Sequence, residues 1–107
     1  MSTAPKSQIL KMADLAAYQE GSVVSRQITK SDGGNVTLFA FDAGQELSEH
    51  TAPYDALVHI LDGEAEVRIS GVSYSLAAGE AILMPANEPH ALKAIKQFKM
   101  LLTMVRT

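Results

Sequence analysis

The sequence has 107 residues, 47% of them hydrophobic, with no cysteine and a formal net charge of −3. A chain of this length makes one domain of ordinary size, and the lack of cysteine excludes both a disulfide framework and a thiolate metal site. Lysine and glutamate are scattered rather than blocked, which excludes the basic stripe of a nucleic-acid-binding surface; the closest approach to a cluster, Lys93, Lys96 and Lys99, is interrupted by apolar or neutral residues.

Residues 1–12 read as a loose, flexible arm, and residues 13–107 as the single domain. Met1 to Lys11 contains no apolar run long enough for a signal peptide, and no stretch reaches the ~18 apolar residues of a membrane span. A cytoplasmic protein with no membrane partner is therefore expected. Asp14, ahead of Leu15, Ala16, Ala17 and Tyr18, suits the N-cap of a short helical turn before Gly21. Short strands follow, separated by turn signals. Val23 to Thr29 and Val36 to Phe41 flank the turn cluster Ser31-Asp32-Gly33-Gly34-Asn35. Leu57 to Leu61 is an apolar run that Asp62-Gly63 should end.

From Glu64 to Ile69 the pattern alternates, with Ala65, Val67 and Ile69 on one face and Glu64, Glu66 and Arg68 on the other. Such alternation places one face in a core and the other in water. Val72 to Leu76 returns as a hairpin partner after Ser70-Gly71. Ala81 to Met84 is stopped by Pro85, and His90 to Ile95 and Phe98 to Val105 complete the series. Strands this short, with turns every eight to twelve residues, indicate a sandwich or barrel. Leu57 to Leu61 and Phe98 to Val105 are apolar on both faces, so each needs cover on two sides. A second copy of the chain would supply the outer cover, making a homodimer, although the N-terminal arm could do the same.

Two stretches are similar to the paired motifs of the cupin family. In the first, Gly44 is followed by five residues and His50, and the stretch closes at Gly63. In the second, Gly79, five residues and Pro85 lead through Ala86, Asn87, Glu88 and Pro89 to His90. The resemblance implies an all-β fold, the cupin double-stranded β-helix or jelly-roll barrel, here with a short N-terminal arm and helical turn. It also implies an interior site in which imidazoles and a carboxylate hold a divalent metal (Fe, Mn, Ni or Zn), with no organic cofactor. His50 and His90 match two of the four ligand positions; Ala52 and Ala56 occupy the other two. Asn87 replaces a glycine, a change that asparagine tolerates because it also enters the left-handed region. Asp55 and Glu49 neighbour the lost and the retained ligand positions, but on a regular strand both point to the wrong face.

With or without metal, two imidazoles inside an apolar barrel make a site, since each offers a hydrogen-bond donor and an acceptor. Tyr54 would reach over the mouth, and Met84 and Met100, with Met104, would line an adaptable apolar cavity, unless they simply fill the core. His59 should face away from the pocket. The first functional expectation is a protein that binds a small organic ligand through His50 and His90. The alternatives are a metal-dependent enzyme of the dioxygenase, isomerase or lyase type, with the same histidines as metal ligands, and a non-catalytic structural or interaction module. Fold alone does not choose among them.

Overall fold

The computed structural model describes residues 3–106; Met1, Ser2 and Thr107, the ends of the expected arm and domain, lie outside the described residues. After a 3₁₀ helix at Met12–Leu15, eight strands follow: β1 Val23–Ser31, β2 Gly34–Phe41, β3 Glu46–His50, β4 Tyr54–Ile69, β5 Val72–Ala77, β6 Ala81–Met84, β7 His90–Lys93 and β8 Phe98–Arg106. Every pairing is antiparallel. The order β1-β2-β8-β4-β7-β3, with β5 and β6 also paired to β4, makes one curled sheet. This is the all-β barrel-like architecture expected from the sequence.

Strand β4 is the hinge of the design. Its first half pairs with β8 and β6, its second half with β5 and β7. The sequence suggests two strands broken at Asp62-Gly63; the structure has one of 16 residues with a bulge between Ile60 and Asp62. An extra residue in one strand reverses which parity faces inward. Accordingly Ala56, Val58 and Ile60 are buried before the bulge, and Ala65 and Val67 after it. Gly63 sits at φ +76°, and a Cβ there would lie 1.8 Å from the Gln97 carbonyl oxygen. Glycine is what allows β8 to approach so closely.

These inward residues join Phe41, Leu76, Met84, Leu92, Ala94, Phe98 and Met100 in the main core. Phe41 and Phe98 stack with centroids 4.4 Å apart. A second cluster lies on the outer face, where Leu38, Ala40, Leu61 and Leu101 are met by Met12, Leu15, Ala16 and Tyr18. The N-terminal segment thus covers part of the outer apolar face. It is tied down by Ala4 N–H donating to the Ile28 carbonyl (2.9 Å) and Lys99 Nζ to the Ala13 carbonyl (2.6 Å), and by Tyr18 Oη donating to Asp62 (2.5 Å) beside the bulge.

Asp14 does not cap this helix, contrary to the sequence expectation. It is the third residue of Met12–Leu15, the N-cap is Lys11, and no side chain caps the end. The docking of Met12, Leu15 and Ala16 on the outer cluster sets the helix one turn earlier than the capping rule suggests. Among the described residues, no helix is long and apolar enough to cross a membrane.

Candidate functional site

Strand β3 ends at His50 and β7 begins at His90, and the two residues are paired across the sheet. Pro85 closes β6 at Met84, and Asn87 adopts φ +66°, the left-handed conformation expected at that turn. Two bonds join the loops on either side of the histidines. Asn87 N–H donates to the Ala52 carbonyl (2.8 Å), and Ala86 N–H donates to the Asp55 carboxylate (2.9 Å). Asp55 is therefore a positioning residue; its outward parity, which argues against a ligand role, is what leaves it free to hold this loop.

The imidazoles meet. His50 Nε2 and His90 Nε2 are 3.2 Å apart, with the rings edge to face and their centroids 4.4 Å apart. His50 is exposed and His90 is buried at 5% exposure, so the pair is reached from the His50 side. Each ring is held by the carbonyl two residues before it: His50 Nδ1 donates to Ser48 (2.8 Å) and His90 Nδ1 to Glu88 (3.2 Å). Burial, and then the charge of a protonated His50, hold the His90 pKa below the usual histidine range, against the opposing pull of the Glu88 carbonyl.

The other residues singled out in the sequence do not join the pair through polar contacts. Tyr54 Oη accepts a hydrogen bond from Arg106 Nη2 (3.3 Å), with the guanidinium 5.7 Å from its ring centroid. Met84 and Met100 are buried in the main core beside Ala56 and Phe98, where they fill space. His59 faces the opposite side of β4 from Ala56, Val58 and Ile60, paired with Ala81 and Leu101. A depression of about 320 Å³ lies close by, lined by Glu46, Glu49, Glu66, Arg68, Ala91 and Lys93 among others, but it includes neither His50 nor His90.

The donor set does not fit a metal held by the protein alone. Mononuclear sites generally take three or four protein ligands, and among the described residues no group of three or more His, Asp or Glu is placed to hold one. Ala56 is buried at 4% exposure between Met84 and Met104, so an apolar contact stands where the resemblance implies a carboxylate.

Solved structures share this architecture over nine-tenths of the chain or more. A conserved protein of unknown function from Streptococcus pyogenes is 35% identical over 100% of this chain and 96% of its own, with a TM-score of 0.92. A cupin superfamily protein from Desulfitobacterium hafniense is 29% identical over 99% of this chain and 97% of its own, with a TM-score of 0.91. A Cupin 2 conserved barrel domain protein from Leptotrichia buccalis is 38% identical over 91% of this chain but only 47% of its own, with a TM-score of 0.88. No curated protein matches. The family described as Cupin domain matches residues 37–106, the span that contains both histidines of the pair, the β4 bulge, strands β3 to β8 and the part of β2 that carries Phe41. The chain belongs to the cupin domain family.

Proposed function

We propose that the protein binds a small organic molecule at the His50–His90 pair. The observation that carries this reading is the 3.2 Å contact between two imidazole nitrogens forty positions apart in the chain. Two titratable rings held edge to face beside an apolar core, one reachable from solvent, are the few convergent polar groups that a small-molecule site needs. A structural role for the histidines needs only their bonds to the Ser48 and Glu88 carbonyls; those bonds use Nδ1 and leave both Nε2 atoms directed at one another. The test is a thermal-shift screen of a small-molecule panel against the wild type, His50→Ala and His90→Ala. A compound that stabilises only the wild type supports the reading. Identical profiles in all three proteins would argue for a structural module.

The homodimer expected from the sequence belongs to the same proposal. It is supported by the outer face that the N-terminal segment leaves open, where Leu57 (39% exposed), Leu83 (59%) and Val105 (54%) remain in water. Leu57 pairs directly with Leu83 across β4 and β6. An apolar row on an outer sheet face suits a second copy presenting the same row about a two-fold axis. Light scattering of the wild type and Leu83→Glu tests it: a dimer that the substitution converts to a monomer is expected, and a wild-type monomer at micromolar concentration refutes it.

A further inference from the structure

His59 borders the apolar row that the N-terminal segment leaves open. Leu57 and His59 lie two residues apart on the same face of β4. Leu57 is opposite Leu83 and Thr103, and His59 is opposite Ala81 and Leu101. The chain has three histidines, and His59 is the one on this face, half-buried and turned away from the barrel interior.

The charged groups on the elements around it are engaged elsewhere or exposed. On β4, the Asp55 carboxylate accepts from Ala86 N–H (2.9 Å) and Asp62 accepts from Tyr18 Oη. Ahead of β6, Glu80 accepts from Ala77 N–H (2.8 Å). On β8, Lys99 donates to the Ala13 carbonyl (2.6 Å) and Arg106 to Tyr54 Oη (3.3 Å). Lys11, Asp14 and Glu20 of the N-terminal segment are exposed, as is Arg26 on β1. Among the described residues the one ion pair is Lys96–Glu64, so His59 has no carboxylate partner.

A two-fold interface presents the same patch from both copies. Neutral, the imidazole can be enclosed beside the leucines without a balancing charge. Protonated, it brings two positive charges into one interface, one from each copy. The acid that the same face of a copy brings is Asp55, which is turned to Ala86 N–H. Burying an unpaired charge is costly, and symmetry imposes that cost twice. We infer that His59 lies inside the homodimer interface in both copies and that assembly is confined to its neutral form. This rests on the homodimer reading and adds to it the part of the face that is enclosed and a pH limit.

Dilution series of the intact chain in the analytical ultracentrifuge test it, at about pH 8 and about pH 5.5; histidine changes charge across that range while carboxylates stay ionised. A cost of about tenfold per ring, small for an unpaired buried charge, becomes about hundredfold in the dimer dissociation constant. Its pH slope should approach two protons per dimer. His59→Gln, which is polar but takes no proton, is expected to flatten the profile. His59→Lys, charged at pH 8, is expected to be monomeric where the wild type is dimeric. Circular dichroism at each pH separates dissociation from unfolding, and if the chain unfolds at the lower pH the His59→Lys result decides alone. A wild-type dimer whose affinity is flat or tightens in acid overturns the inference and leaves the homodimer standing. So does a pH dependence that survives in His59→Gln, or a His59→Lys dimer as tight as the wild type. A wild-type monomer at micromolar concentration overturns both.

Discussion

Replacing Gly63 by alanine tests the account of β4 most directly. Two costs follow from the structure. The first is conformational: φ at this position is +76°, where a Cβ costs ~1–2 kcal/mol. The second is steric, because the added carbon would lie 1.8 Å from the Gln97 carbonyl oxygen and 2.9 Å from the Phe98 Cα. Relaxing the first contact to an ordinary C···O separation of about 3.3 Å moves the start of β8 by about 1.5 Å. Phe98 lies there, fully buried and stacked on Phe41, so the shift is paid in core packing, typically ~1–3 kcal/mol for a forced overpacking. Together the loss is ~3 kcal/mol. Gly79→Ala is the control: its φ of +91° carries the conformational cost, but nothing lies within 4 Å of the new carbon. Its loss should be ~1–2 kcal/mol. Urea unfolding followed by circular dichroism reads both. If Gly63→Ala falls within ~0.5 kcal/mol of Gly79→Ala, a resolution that urea unfolding provides, the close approach of β8 is not what the glycine is for and the reasoning fails.

Three further outcomes are expected. Because the His90 pKa is depressed in the folded protein, the unfolded chain binds this proton more readily. Stability from this group is thus fully present above the unfolded value of ~6.5 and is lost as pH falls through the lower folded value; stability measured against pH should show this slope in the wild type and lose it in His90→Gln. Asp55→Ala removes the acceptor of Ala86 N–H and should cost ~1–2 kcal/mol in chemical denaturation, with Asp55→Asn recovering part of it through its remaining carbonyl oxygen. Tyr18→Phe removes the hydroxyl donated to Asp62 and should cost ~1 kcal/mol; an unchanged unfolding midpoint would mean that the N-terminal segment is held by its apolar contacts alone.

Much of this fold is legible locally. Where hydrophobic alternation is unbroken, as at Glu64 to Ile69, the buried face follows from period two, and Pro85 marks the end of β6 without tertiary help. What cannot be read locally is what depends on a distant strand. Asp62-Gly63 carries the same turn chemistry whether the chain reverses there or continues through a bulge, and only the approach of Gln97 and Phe98 decides it. Strand β3 has no hydrophobic period at all, since Leu47 is its one inward apolar residue among Glu46, Ser48, Glu49 and His50; its pairing with β7 creates it. The N-terminal helix errs in the other direction. Local capping chemistry favours Asp14, but the outer cluster offers Met12, Leu15 and Ala16 more by burial than one cap contributes.

The two histidines are the legible part of the site, and the reason is that their orientation is a local matter. In a metal centre, partners behind the ligands fix ring orientation and tautomer. Here those partners are carbonyls two residues upstream in the same chain segment, Ser48 for His50 and Glu88 for His90. The strand pairing of β3 with β7 then sets the separation of the rings. Neither device involves the side chain at position 52 or 56. Alanine at both positions takes away two of the ligands that the resemblance implies and leaves the imidazoles where the backbone places them, 3.2 Å apart at Nε2. The same backbone that would present two ligands to a metal therefore presents two imidazoles to one another, and the identity of two small residues decides whether further donors stand beside them.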